Sequence, residues 1–332
     1  MREFMNTPRR CALLAGMLLL LTSAGSSARA ETLEVGTIDR RPLTLELVVP
    51  DGPGPHPVIA WIHGGAWQSG SHRNLPGFTR AALEAGFAVA SLDYRLTSEA
   101  GVWGRASVSW PAQLHDCKAG IRWLRANAET HRLDPDRIAA WGASAGGHLA
   151  TMLGVTADTP GLEGTVGPHV GVSSKVAVAV DFFGPTDLFT MNADVTTPPG
   201  SVIDHDALNA PESKLVGSGV HQRSLGTIRA HRADLEAPWP ELVARVHSAS
   251  PVHQVGPGDR TPLYIAHGEQ DRLIPIKQAR RLEAACLEHG VPHVVVWYPR
   301  AGHGLPPAAS ARVLRWLTET MPSAEDPPDP GK

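Results

Sequence analysis

Ile138-Ala139-Ala140-Trp141-Gly142-Ala143-Ser144-Ala145-Gly146-Gly147-His148 reads as a short apolar strand, a tight turn carrying one serine, and the first residues of a helix. A strand that turns at once into a helix brings two backbones together, and Gly142 and Gly146 have no Cβ to clash there. The serine between them can then sit in a strained conformation with its hydroxyl exposed. The helix that follows points its N-terminus at that serine, where free N–H groups and the helix dipole favour negative charge. With 33 glycines in 332 residues, Gly-x-Ser-x-Gly arises by chance too easily to stand alone. Its setting adds weight. Asp134-Pro135-Asp136-Arg137 reads as a turn before the strand, and residues 147–153 continue as a helix.

Outward from this unit, apolar runs alternate with helical patterns. Residues 31–38 and 43–49 alternate enough to be two strands joined by a turn around Asp39-Arg40-Arg41-Pro42. Residues 57–62 and 87–92 are continuous apolar runs, the pattern of strands buried on both faces. Further strands are expected at 175–183, 263–266 and 293–298, and helices at 75–86, 110–126, 276–289 and 307–320. Such alternation predicts an α/β fold with a parallel sheet and helices on both faces. The stretch 189–250 is polar and irregular, with helix expected within 227–235 and 239–246. It is too long for a plain connection and predicts a cap or lid.

The hydrophobic fraction of 42% and charged fraction of 19% fit a globular chain. A net charge of −3 gives no reason to expect nucleic acid as a partner. Arg2, Arg9 and Arg10 precede an apolar run from Ala12 to Leu21, and Ala28-Arg29-Ala30 follows. This reads as a secretory signal peptide over residues 1–30, with a run too short to span a bilayer comfortably. The expected location is outside the cytoplasm, periplasmic or extracellular. Losing those residues removes four Arg and one Glu and shifts the net charge to −6. Cys11 leaves with the leader, and Cys117 and Cys286 read as buried free thiols in two helices. Residues 31–321 are the expected folded domain. The proline-rich tail 322–332 is expected to be disordered.

In open α/β sheets, function gathers at the carboxyl ends of the strands. A serine hydroxyl becomes a useful nucleophile only when an oriented base takes its proton. There are 16 histidines, so position must select among them. His303 lies in Pro299-Arg300-Ala301-Gly302-His303-Gly304, directly after the last strand, where flanking glycines allow a mobile loop. It is the expected base. His63 is expected to be structural, His148 to point away along the elbow helix, and His267 to have a local role. The acid should follow the preceding strand, where Glu269 and Asp271 compete; Asp271 lies deeper, just ahead of Leu273-Ile274-Pro275, and is favoured. Asp187 is an outside rival, or else an N-cap. Two backbone N–H groups should face a developing oxyanion: one from Ala145, the other from the Gly64-Gly65 turn. Trp67 is expected near the pocket wall or as an ordinary half-buried indole. This chemistry needs no metal and no organic cofactor.

His63-Gly64-Gly65-Ala66-Trp67, Asp93-Tyr94-Arg95-Leu96, Trp141 to Ala150, Pro211-Glu212-Ser213-Lys214-Leu215, Ser250-Pro251, His267-Gly268-x-x-Asp271 and Gly302-His303-Gly304 together resemble the α/β-hydrolase superfamily over about residues 45–320. Within it the chain is similar to secreted carboxylesterases related to bifunctional feruloyl and acetyl-xylan esterases and to the hormone-sensitive-lipase group. The resemblance implies an eight-stranded, mostly parallel sheet with a cap insertion. It also implies hydrolysis of small acyl esters through an acyl-serine, with acetyl or feruloyl esters of carbohydrates as candidate substrates. Neither nucleic acid nor stable membrane insertion after leader removal is expected. Ala66 stands where many hormone-sensitive-lipase relatives have a third glycine, which favours the feruloyl/acetyl-xylan branch. The stretch around 223–242 is longer than usual in the family. A prolyl-oligopeptidase-like peptidase and a formamidase-like amidase would share this core; the first class usually carries a large N-terminal propeller, whereas about a dozen residues separate the leader-like segment from the second expected strand, and export disfavours the second class. A non-catalytic binding module usually loses a triad member, and all three are present here.

Overall fold

A computed structural model describes residues 29–103, 107–157, 159–195, 203–217 and 223–321. The leader up to residue 28, with Cys11, and the tail from 322 lie outside the described residues. Eight strands form one sheet: β1 (Glu31–Ile38), β2 (Arg41–Val48), β3 (His56–Ile62), β4 (Ala88–Leu92), β5 (Leu133–Ala143), β6 (Val178–Phe182), β7 (Leu263–Gly268) and β8 (His293–Tyr298). Their order is β1-β2-β4-β3-β5-β6-β7-β8. β1–β2 and β2–β4 pair antiparallel, and every other pair is parallel. The expected mostly parallel α/β-hydrolase sheet is what forms.

The helices are α1 (Thr79–Glu84), α2 (Ala112–Ala126), α3 (Ala145–Val155), α4 (Met191–Asp194), α5 (Pro211–Gly217), α6 (Leu225–Ala230), α7 (Trp239–Ser248), α8 (Ile276–His289) and α9 (Pro307–Thr320). Alternate strand residues feed two separate cores, as a period of two requires. Val58, Ala60, Ile62, Ala140 and Ile265 join Leu114, Ile121 and Leu124 of α2, Leu149 and Leu153 of α3 and Leu282 of α8. Ile59, Ala139, Trp141, Val180 and Tyr264 join Ala82 of α1 and Val313 and Leu317 of α9. Each fully buried Leu, Ile or Val side chain stabilises the fold by about 1.5–3 kcal/mol. Cys117 and Cys286 are both buried and unbridged, in α2 and α8.

Among the boundaries that differ from the sequence-based expectation, three have a clear local cause. The β1–β2 turn is only Asp39-Arg40, at φ of 46° and 68°, so Arg41 and Pro42 belong to β2. The helix expected over 75–86 starts at Thr79, because the Thr79 N–H closes a turn on Pro76 O (2.9 Å). Asp134-Pro135-Asp136-Arg137 lies within β5 as a bulge: the register jumps between His56↔Leu133 and Val58↔Ile138. Inside it Asp134 Oδ1 accepts from the N–H groups of Asp136 and Arg137 (3.0 and 3.2 Å), so the local turn chemistry holds even within a strand.

Helices α4 to α7 all fall between β6 and β7, within the stretch 189–250. The two regions expected to hold helix overlap α6 and α7; α4 and α5 are additional short helices.

The crossing of β5, α3 and β3 sets the strictest packing limit. A Cβ on Gly142 would lie 2.1 Å from Gly146 O, and one on Gly146 would lie 2.0 Å from Ile62 O. Gly146→Ala is therefore expected to cost about 3 kcal/mol in urea unfolding. Gly77→Ala, where an added Cβ meets nothing within 4 Å, should cost less than about 0.5 kcal/mol. Equal effects at the two positions would contradict the close approach.

Candidate active site

Ser144 stands between β5 and α3 at φ 57° and ψ −123°. Holding a non-glycine residue there costs of order 1–3 kcal/mol. The surroundings impose it: Ser144 N–H donates to Phe182 O (2.8 Å) and Ser144 O accepts from His148 N–H (3.0 Å). Ala145 opens α3, where no intrahelical acceptor exists for its N–H.

His303 Nε2 lies 3.0 Å from Ser144 Oγ. His303 Nδ1 lies 2.8 Å from Asp271 Oδ2. Serine, imidazole and carboxylate thus form one continuous hydrogen-bonded row, drawn from three different βα connections. The loop that carries His303 is pinned despite its glycines. Gln270 N–H donates to Ala301 O (2.9 Å), and Glu269 N–H to Tyr298 O (3.0 Å). A Cβ on Gly268 would lie 2.4 Å from both Ala301 O and Gly302 O, so the end of β7 sits directly against this loop.

Asp271 is held on every side. Its Oδ1 accepts from the N–H groups of Leu273 (2.8 Å) and Ile274 (3.0 Å). His267 Nε2 is 3.4 Å from Oδ2 and 3.0 Å from Ile274 O, which is the local role expected for His267. Burial pushes the Asp271 carboxyl up, but hydrogen bonds from His267 and His303, the His303 charge and the Ile274 N–H outweigh it and hold the carboxyl well below the usual range. The two rivals lie elsewhere. Glu269 is exposed, and Asp187 faces His253 at 3.9 Å without a side-chain cap bond.

The turn after β3 lies against the elbow, since a Cβ on Gly64 would meet Ala143 O at 2.8 Å and Ser144 Cβ at 3.3 Å. Gly65 (φ 116°), Ala66 (φ 55°) and Trp67 (φ 55°) then follow in left-handed conformations. Gly65 O accepts from Gln68 and Ser69 N–H, both at 3.0 Å. Among the described residues the N–H groups of Gly65, Ala66 and Ala145 donate to no protein acceptor. These three residues and Gly64 all line one cavity with Ser144 and His303. Ala66 is the donor candidate that sequence reasoning missed; nothing about an alanine in this turn signals it.

Trp67 borders that cavity, yet it is only 2% exposed rather than half-buried. Its Nε1–H donates to His148 Nδ1 (3.3 Å), and His148 Nε2 lies 2.7 Å from Ala249 O. His148 thus points away from Ser144, as expected, and ties the Gly64–Trp67 turn to the end of α7. His63 is structural too: its Nδ1 is 2.7 Å from Gly64 O, its ring stacks on Tyr94, and burial lowers its pKa.

The cavity has a volume of about 690 Å³. Phe183 packs edge-on against the His303 ring at 4.8 Å and, with Pro185, Leu273 and Ile274, gives it an apolar side. Gln68, Ser69, His205 and Glu212 add polar groups. The sequence marks Glu212 only as part of a family-like motif, and His205 is one histidine among 16. Among the described residues no group of three or more His, Cys, Asp or Glu could hold a metal ion.

Two outcomes follow from this geometry. Asp271→Asn is expected to lower catalytic turnover about 10³-fold or more, and Glu269→Gln less than about threefold; steady-state kinetics on both variants would reassign the acid if the order reversed. His148 offers a pH test. Burial pushes its imidazole down to about 4, against the opposing bond to Ala249 O, from an ordinary 6.5. Between those values the unfolded chain binds a proton that the folded chain refuses, so stability is lost as pH falls from about 6.5 to about 4. The stability difference between wild type and His148→Gln should therefore shrink by up to about 3 kcal/mol between pH 7 and pH 4 in urea unfolding. A difference independent of pH would contradict a neutral buried His148.

Comparison with known proteins agrees with the fold. Residues 45–286 match the family model described as BD-FAE. Esterase LipC of Mycobacterium tuberculosis is 32% identical over 260 residues, 75% of this chain and 53% of LipC. The chain spans about half the length of the three Mycobacterium tuberculosis esterases it matches. Among solved structures, a truncated carbohydrate esterase from gut microbiota superposes with a TM-score of 0.70 at 26% identity, covering 88% of this chain and 96% of that one. The propionate-bound esterase Est2 of Thermogutta terrifontis gives a TM-score of 0.63 at 25% identity, covering 87% and 92%. With an α/β-hydrolase sheet, a serine elbow at its centre and a family match across 45–286, the chain belongs to the BD-FAE family.

Proposed function

We propose that the chain is a serine carboxylic-ester hydrolase. The observation that carries this reading is the row Ser144–His303–Asp271, with links of 3.0 and 2.8 Å, at the wall of a cavity of about 690 Å³. Ser144 Oγ attacks the ester carbonyl while His303 Nε2 takes its proton. Asp271 holds the other ring nitrogen as the N–H donor and balances the imidazolium. The carbonyl oxygen becomes negative as the tetrahedral centre forms. The Ala145 N–H at the start of α3 and the Gly64-Gly65 turn, extended to Ala66, are the donors for that charge. His303 then gives its proton to the departing alcohol. Water, activated by the same imidazole, releases the acid from the acyl-serine.

A small acyl ester is the substrate this reading favours, with acetyl or feruloyl esters of carbohydrates as the candidate class. The size of the cavity supports that choice. So does similarity to proteins named as a carbohydrate esterase and as an esterase with bound propionate. The leader-like residues 1–30 support action outside the cytoplasm. The segment 189–250, which contributes His205 and Glu212 to the cavity wall, takes the part of the cap.

Ser144→Ala is expected to reduce turnover of p-nitrophenyl acetate by about 10⁴-fold or more while the circular dichroism spectrum is retained. Substantial residual hydrolysis by a folded Ser144→Ala protein would refute the mechanism.

A further inference from the structure

The cavity wall carries a second titratable pair that the proposed reaction does not use. His205 and Glu212 are 1% and 2% exposed, and His205 Nδ1 lies 2.9 Å from Glu212 Oε1. Both residues line the cavity that holds Ser144 and His303. A carboxylate only accepts, so Nδ1 must carry the hydrogen between them. That leaves His205 Nε2 and Glu212 Oε2, and neither has a hydrogen-bond partner among the described residues. Polar atoms buried to this degree are normally paired, and two unpaired ones on residues that line a substrate-sized cavity call for an external partner.

The pair is held in place before any ligand arrives. His205 N–H donates to Asn192 Oδ1 (2.8 Å). Glu212 lies in the first turn of α5, and α5 is anchored to the core because Leu215 O accepts from Trp110 N–H (2.8 Å). Lys214 Nζ, on the same helix, reaches Gln68 Oε1 (2.7 Å) in the turn that follows Gly64-Gly65. Gln68 and Ser69 line the cavity too, so the polar part of the lining is built jointly by the insertion and by that turn.

We propose that His205 and Glu212 form a specificity-determining subsite that binds a hydroxyl group carried by the ester substrate. A hydroxyl is the complementary ligand because it donates and accepts at once: it can donate to Glu212 Oε2 or to an unprotonated Nε2, and accept from a protonated one. Esters of polyhydroxylated alcohols satisfy both orphaned atoms. Esters of apolar alcohols of the same size leave them buried and empty. The inference rests on the ester-hydrolase reading for its substrate, but not for its binding geometry.

The test uses two acetate esters of similar size, a mono-O-acetylated methyl β-xyloside and cyclohexyl acetate. In the full chain, His205→Leu is expected to lower the ratio of kcat/KM for the xyloside over cyclohexyl acetate about tenfold or more, chiefly through KM. His205→Gln, which keeps a polar atom near the Nε2 position, should retain part of that ratio, and Glu212→Gln should lower it as well. A ratio within about twofold of wild type in Glu212→Gln and, where it folds, in His205→Leu would overturn the proposal. Affinity for the xyloside, titrated by NMR into Ser144→Ala protein with and without His205→Leu, reads the subsite without turnover. A wild type that hydrolyses neither ester overturns the esterase reading alone. Equal xyloside affinity with and without His205→Leu overturns the subsite alone.

Discussion

The architecture of this site depends on one steric constraint, the absence of side chains where β5, α3 and β3 cross. Gly142 approaches Gly146 O, Gly146 approaches Ile62 O, and a Cβ on Gly147 would lie 2.3 Å from Asp181 Oδ1. With three glycines there, α3 can start at once after β5, directly against the ends of β3 and β6. Ser144 is the residue left at the corner, and its positive φ is the conformational consequence. The same crossing brings the turn after β3 beside the elbow, so Gly64, Gly65, Ala66 and Ala145 come to line one cavity. A single packing solution thus exposes the hydroxyl and gathers the N–H donors.

The acid–base row is organised by a different physics. Asp271 is almost entirely buried, which by itself would favour its neutral form. Two backbone N–H groups and two imidazoles reverse that preference. The carboxylate is then a fixed acceptor that sets the tautomer of His303. Phe183 closes one side of the ring, and the contact of Gly268 with Ala301 and Gly302 holds the loop that bears it. Orientation therefore comes from packing between neighbouring βα loops, not from a stiff loop sequence.

Legibility followed the range of the interactions involved. Strand order along the chain, the two-faced burial of the central strands and the glycines of the elbow are local or periodic, and they could be read from residues alone. The start of α1 and the bulge in β5 are not legible in the sequence because the deciding bonds, Thr79 to Pro76 and residues 136–137 to Asp134, are choices between equally good local structures. The position of Trp67 near the pocket is legible in the sequence, but its near-complete burial is not. Its burial depends on His148, which is 81 positions away. His205 and Glu212 carried no chemical signal until the fold placed them on the same wall as Ser144.

The amino-acid sequence by itself determined the α/β alternation, the serine at a strand-to-helix turn, and the order of serine, aspartate and histidine along the chain. These follow from periodicity, from glycine's missing Cβ and from the position of each residue at a strand's carboxyl end, all properties of short stretches. Only the tertiary structure decided that Asp271 rather than Glu269 meets His303, that Ala66 joins Gly64 and Gly65 at the cavity, and that a buried His205–Glu212 pair faces the same space. Each of those depends on distances between segments far apart in the chain, which packing sets and local sequence does not encode.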